Sequence, residues 1–353
     1  MRLEQLRRSL AEQELDAILI SQPENRRYLS GFTGSAGFLL ITAQEAILAT
    51  DFRYYEQVGR EAPDFQLAKI KSRFEDLLPD LVAGLGIKRL GFEAEHATVH
   101  QLYRWSELAN NVEWLPQRQT VERIRAVKEE GELQALRRSV ALTDAAFAHL
   151  LDVLEPGMTE QQAAWEIEVY MRTHGASKVA FDFIVAAGPN GALPHASASQ
   201  HSIAEGEPVV IDIGCIVDGY CSDMTRTICL GQPDSRYLEV WQIVHRAQET
   251  AEANIRAGMT GIEADALARG VIERAGYSDS FGHGLGHGVG LAVHEMPWAS
   301  PRNDNVLEAG MVLTIEPGIY LPGEFGVRIE DLVIIREEGV EVLTQSSKRA
   351  VSL

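Results

Sequence analysis

A chain of 353 residues with 45% hydrophobic residues is long for one core and apolar enough to be globular throughout, so two domains are expected rather than disorder. Its 51 acidic residues against 32 basic ones leave a formal charge of -19, which repels phosphate backbones and anionic membranes and attracts cations. Nucleic acid is therefore not an expected partner. The N-terminus lacks an apolar signal core, and no run approaches the roughly 18 apolar residues of a membrane span, so a cytoplasmic location without membrane attachment is expected.

Residues 1–120 alternate short β-rich runs at 16–20, 37–42 and 89–93 with helical stretches such as 99–109, the pattern of a compact α/β domain. After Pro116 the pattern becomes a long helical stretch, with Leu133, Leu136, Val140, Phe147, Leu150, Leu151 and Leu154 mostly three or four apart. The domain boundary is placed at 120, leaving 121–353 as the second domain.

That second part repeats itself. Gly157-Met158-Thr159 returns as Gly258-Met259-Thr260, and each Thr has Gln162 or Glu263 three residues on, the sign of a capping box ahead of a helix. Both helical runs close at a glycine, Gly175 and Gly276. The run 206–214, with Asp212, is echoed by 310–318, with Glu316. A second strand after each echo carries Asp223 in one half and Glu330 in the other. Two such units predict a pseudo-twofold arrangement, with strands meeting in one sheet, helices covering it and carboxylates converging near the axis. Cys215, Cys221 and Cys229 fall in one strand-like region without CxxC spacing, which suggests reduced thiols.

An Asp among Val209, Val210, Ile211 and Ile213 is costly to bury without a cation. A salt bridge to Arg or Lys would serve one such residue, but four at repeat-related positions favour metal. Strand alternation pairs Thr314 with Glu316, Asp223 with Thr225, and Arg328 with Glu330, so Arg328 is expected to orient Glu330 or to pair with a carboxylate. The glycine-rich run 282–295 adds His283, His287 and His294; Trp298 occupies the place where an HExxH site after His294 would need its second His. Four carboxylates and one imidazole carry charge for two divalent ions and a bridging hydroxide. Oxygen-rich donors with one imidazole suit Mn²⁺, Co²⁺, Fe²⁺ or Zn²⁺ without choosing among them; Mn²⁺ is the expected ion. Two ions roughly 3.5–4 Å apart make hydrolysis the natural reaction.

These residues, in the motifs VVIDIG, SDMTRT, GHGLGHGVGLAVHE, TIEPG and VRIED, resemble the M24 metallopeptidases. The resemblance covers about residues 120–350, while SGFTGS at 30–35 and TDFRY at 50–54 look like the creatinase-type N-terminal domain of the proline-specific branch. It implies a creatinase-like α/β domain followed by an α+β pita-bread catalytic domain with internal pseudo-twofold duplication. It also implies Asp223 and Glu330 bridging two metals, Asp212 serving one, and His287 and Glu316 the other. Glu316 is the implied proton acceptor, and His195 and His294 the substrate-facing histidines. Relatives commonly dimerise, so a homodimer is expected.

The expected substrates are peptides with proline at the second position. Dipeptidases of this branch tend to carry an Arg soon after the second histidine; here Trp298 comes first and Arg302 later. The expectation is therefore an Xaa-Pro aminopeptidase, with an Xaa-Pro dipeptidase and a non-catalytic peptide-binding member of the fold as alternatives.

Overall fold

The computed structural model describes residues 2–352. Contacts divide the chain into a unit ending at Arg125 and a second running from Ala126. In the first, a six-stranded mixed sheet runs in the order Gln66–Ile70, Ala46–Asp51, Phe38–Thr42, Ala17–Ile20, Arg89–Glu93, Glu113–Gln117. Ala17–Ile20, an unbroken apolar run, is central and wholly buried. It pairs antiparallel with Phe38–Thr42 and parallel with Arg89–Glu93.

Helices Phe74–Gly84 and Val99–Leu108 deliver Phe74, Leu78, Val82 and Trp105 to the core of this unit. The helix Thr120–Ala126 belongs with it as far as Arg125: Tyr28 donates to the Ile124 carbonyl at 3.3 Å and Arg125 to Asn25 Oδ1 at 2.7 Å. The structural division therefore falls a few residues beyond 120.

In the second unit each repeat opens with a helix pair, Glu130–Val153 with Glu160–Thr173, then Ser235–Asn254 with Gly261–Arg274. Thr159 and Thr260 cap the second helix of each pair, with Gln162 and Glu263 closing the boxes. Beyond these helices Gly175 and Gly276 take left-handed φ of 113° and 87°, which glycine adopts without a Cβ penalty. Each pair covers its own core. Phe147, Leu150, Ile167 and Met171 pack with Val209, Ile211 and Ile213; Val240, Val244, Ala247 and Ile272 pack with Leu313, Ile315 and Val333.

Pro208–Ile213 lies antiparallel to Met224–Leu230, with Asp212 opposite Thr225, and Val312–Ile315 antiparallel to Asp331–Arg336. The expected single sheet is not a continuous ladder, because the two strand pairs belong to separate sheets. Pro317, which has no N–H to give, follows Glu316 and ends the second ladder's first strand. The halves are joined instead by a seam in which Glu330 N–H donates to the Thr225 carbonyl at 3.0 Å and Arg328 N–H to Thr227 Oγ1 at 3.0 Å. Asp223 and Glu330 do not sit within their second strands; each immediately precedes one, Met224–Leu230 and Asp331–Arg336.

Candidate metal centre

A cavity of about 480 Å³ in the second unit is lined by Asp212, Asp223, His287, Glu316 and Glu330 together. Asp212 comes from the strand Pro208–Ile213, His287 from the short strand Gly286–Gly288, and Glu316 from the residue after Val312–Ile315. Gly286 lies so close to the Thr314 carbonyl that a Cβ would overlap it, so only glycine lets these two strands approach. Thr314 then serves both sides of the contact: its hydroxyl accepts from the His287 N–H at 3.0 Å and donates to Glu316 Oε1 at 3.1 Å.

Asp223, His287 and Glu330 each offer a ligand atom within 4.8 Å of the others. His287 Nε2 lies 3.4 Å from Glu316 Oε1 and 3.8 Å from Asp223 Oδ2. The other ring nitrogen, Nδ1, is 3.1 Å from the Gly288 carbonyl. A carbonyl can only accept, so Nδ1 carries the proton and Nε2 turns its lone pair toward the carboxylates, the tautomer a metal ligand needs.

Burial, and then the charge of Glu330, Asp212 and Glu316, pushes the Asp223 carboxyl well above its ordinary range. Burial followed by Glu316 and Asp212 does the same to Glu330, and burial raises Glu316. Asp212 Oδ1 is buried with no hydrogen-bond partner. Crowded carboxylates, an orphaned oxygen and a directed imidazole lone pair are what divalent cations satisfy, and the oxygen-rich donors fit hard or borderline ions.

Of the two roles expected of Arg328, pairing with a carboxylate is the one it makes directly. Its Nη2 donates to Asp212 Oδ2 at 2.6 Å and its Nε to Thr225 Oγ1 at 3.1 Å; Thr225 in turn donates to Glu330 Oε2 at 2.7 Å. Arg328 thus pairs directly with Asp212 and reaches Glu330 through Thr225, which serves Glu330 and not Asp223. Burial opposes the guanidinium charge, but Tyr320, Asp212, Glu316 and Glu330 outweigh it and hold Arg328 firmly charged.

Tyr320 was not singled out by the sequence. Its hydroxyl accepts from Arg328 Nη1 at 2.8 Å and lies 2.9 Å from His283 Nε2. The signal was its place just beyond Glu316 and Pro317, in the strand Gly318–Leu321. Glu295, beside His294, forms a buried pair with Lys128 at 2.7 Å. His195 and His294 both line the cavity, as does Trp298, whereas Arg302 is exposed and outside it.

The site, inside a duplicated α+β unit, defines a metal-dependent hydrolase of the pita-bread type preceded by a creatinase-like domain. Residues 134–337 match Metallopeptidase family M24 and residues 2–127 match the Creatinase/Prolidase N-terminal domain. The chain belongs to family M24 and is a hydrolase acting on peptide bonds. It is similar to a solved Xaa-Pro dipeptidase from Bacillus anthracis, 42% identical over 100% of this chain and 99% of that one, with a TM-score of 0.97. It is also similar to an X-Pro aminopeptidase from Thermotoga maritima, 40% identical over 98% and 99%, TM-score 0.89. An Xaa-Pro dipeptidase of Pyrococcus furiosus is 36% identical over 98% of each chain. Among the described residues no helix is long and apolar enough to cross a membrane.

Proposed function

We propose that the protein is an Xaa-Pro aminopeptidase whose two divalent ions are held by Asp212, Asp223, His287, Glu316 and Glu330. Manganese is placed first because the donors are mostly carboxylate oxygens. Bound there, the ions would supply an activated water and polarise the scissile carbonyl. Glu316, with Oε1 fixed by Thr314, keeps its other oxygen to take the proton released by the attacking water. His195 and His294, on the cavity wall, donate to the carbonyl oxygen as negative charge builds on it. Arg328 holds Asp212 in place. Phe181, Ile184, Pro194 and Trp298 give the cavity an apolar lining suited to a pyrrolidine ring.

The observation that carries the aminopeptidase reading is the absence of a free cationic clamp. Among the described residues Arg328 is the sole arginine lining the cavity and no lysine lines it, and Arg328 is already bonded to Asp212, Tyr320 and Thr225. A dipeptide's free carboxylate would meet the carboxylate cluster without the bidentate partner that normally repays its desolvation. A longer peptide carries that charge away from the ions. The dipeptidase reading is favoured by the similar Xaa-Pro dipeptidases of Bacillus anthracis and Pyrococcus furiosus. Comparing kcat/KM for Ala-Pro and Ala-Pro-Ala, in wild type and Arg302→Ala, decides between them. The tripeptide is expected to be cleaved at least as well as the dipeptide in both proteins. Exclusive dipeptide cleavage that collapses in the Arg302 variant would overturn the aminopeptidase reading.

A further inference from the structure

His195 is carried by the long connection between the strands Ile184–Ala187 and Pro208–Ile213. Its side chain is exposed toward the cavity, and no hydrogen bond among the described residues holds the imidazole itself. Where that ring sits is therefore decided by the backbone of the loop. The loop's middle is touched by Arg328 Nη1, 3.4 Å from the Pro194 carbonyl. Its two shoulders are held by something else.

Glu160, the first residue of the helix Glu160–Thr173, is fully buried and lies outside the cavity lining. One carboxylate oxygen accepts from the Ala187 N–H at 2.7 Å and from Asn190 Nδ2 at 3.0 Å. The other accepts from the Ser199 N–H at 2.9 Å and from the Ser199 hydroxyl at 2.6 Å. One carboxylate thus fastens the chain on both sides of His195. An ionised carboxylate is the group suited to the task, because it accepts at both oxygens and donates at neither. Among the described residues Glu160 makes no ion pair, and a buried charge without one is costly unless several donors surround it, as they do here.

The second repeat makes a similar tie from a different position, since Gly261 stands where Glu160 does in the first. Asp265, buried on the paired helix Gly261–Arg274, accepts from the Leu285 N–H at 2.9 Å and from Arg269. Arg269 reaches on to the Phe281 and His283 carbonyls at 2.9 and 2.7 Å. In each half, a buried carboxylate on the duplicated helix ties down the loop that brings a histidine to the site.

We infer that Glu160 is a positioning residue for His195, fixing the loop so that the imidazole meets the scissile carbonyl without searching for it. The inference rests on the role given above to His195. Glu160→Gln keeps the volume but sets an NH2 group against groups that themselves donate, which releases one shoulder. Turnover on Ala-Pro-Ala should fall about 10- to 10²-fold, the scale of a small misplacement of a reacting group. Bound metal measured by elemental analysis should stay at the wild-type level. The deciding measurement is a double-mutant cycle. If Glu160 acts through His195, the Glu160→Gln/His195→Ala enzyme is no slower than His195→Ala alone.

Ser199→Ala, which removes a single hydroxyl, should show a smaller loss with the same non-additivity, and it decides the matter if Glu160→Gln does not fold. Losses that multiply fully in the cycle, or a loss of metal in Glu160→Gln, would overturn the inference while leaving His195 its role. So would undiminished turnover in Glu160→Gln when His195→Ala is slow. Undiminished turnover in His195→Ala would overturn the assignment of His195 and the inference with it.

Discussion

Removing the Arg328 side chain tests how the site is held. Arg328 is 4% exposed, and its guanidinium donates to Asp212 at 2.6 Å, Tyr320 at 2.8 Å, Thr225 at 3.1 Å and the Pro194 carbonyl at 3.4 Å. Arg328→Ala leaves all four acceptors without their donor and uncovers Asp212, whose Oδ1 already lacks a partner. Breaking a buried ion pair by deleting one member costs about 3–5 kcal/mol. The effect on the loaded enzyme is smaller, because bound cations still face Asp212. Loss of a group that orients a ligand typically lowers metal affinity or activity about 10- to 100-fold, equivalent to about 1.4–2.7 kcal/mol. Arg328→Lys keeps the charge but cannot span Asp212, Thr225 and Tyr320 with one ammonium, so it should recover only part of the loss. Metal affinity by competition with a chelating dye, kcat/KM on Ala-Pro-Ala, and urea denaturation of the metal-free protein read the three quantities separately. Wild-type affinity and turnover in Arg328→Ala would refute the reasoning.

Two further outcomes follow from the carboxylate cluster. Asp223→Asn should lose tight binding of at least one ion, since a neutral amide cannot replace the charge of a bridging carboxylate; two metals per chain and near wild-type turnover would exclude the bridging role. In metal-free protein, Asp223 and Glu330 hold their protons more tightly folded than unfolded. Stability from these groups is present below their unfolded pKa values and is lost as pH rises through the folded ones. Chelator-treated protein should therefore weaken from the mildly acidic range upward in denaturant titrations, and saturating metal should remove that slope, because ions compete with those protons. An equal slope with and without metal would contradict the assignment.

The sequence by itself determined the elements and the chemistry. Apolar periodicity, capping boxes at Thr159 and Thr260, and glycines at Gly175 and Gly276 are local signals, and the helices and caps formed where those signals lay. The duplication brought Asp212, Asp223, Glu316 and Glu330 into consideration because repeated carboxylates in apolar strands need a shared reason. What only the tertiary structure decided was the partnership among these groups. Alternation along one strand pairs Arg328 with Glu330, but the guanidinium crosses the seam to Asp212, and Thr225 turns to Glu330 instead of Asp223. Sequence spacing describes neighbours along one chain segment; these bonds join segments about a hundred residues apart. Tyr320, Glu160 and Lys128 escaped notice for the same reason. Each is an ordinary residue in its own stretch of chain, and its importance arises only from what the fold sets beside it: Arg328 and His283, the shoulders of the His195 loop, and Glu295.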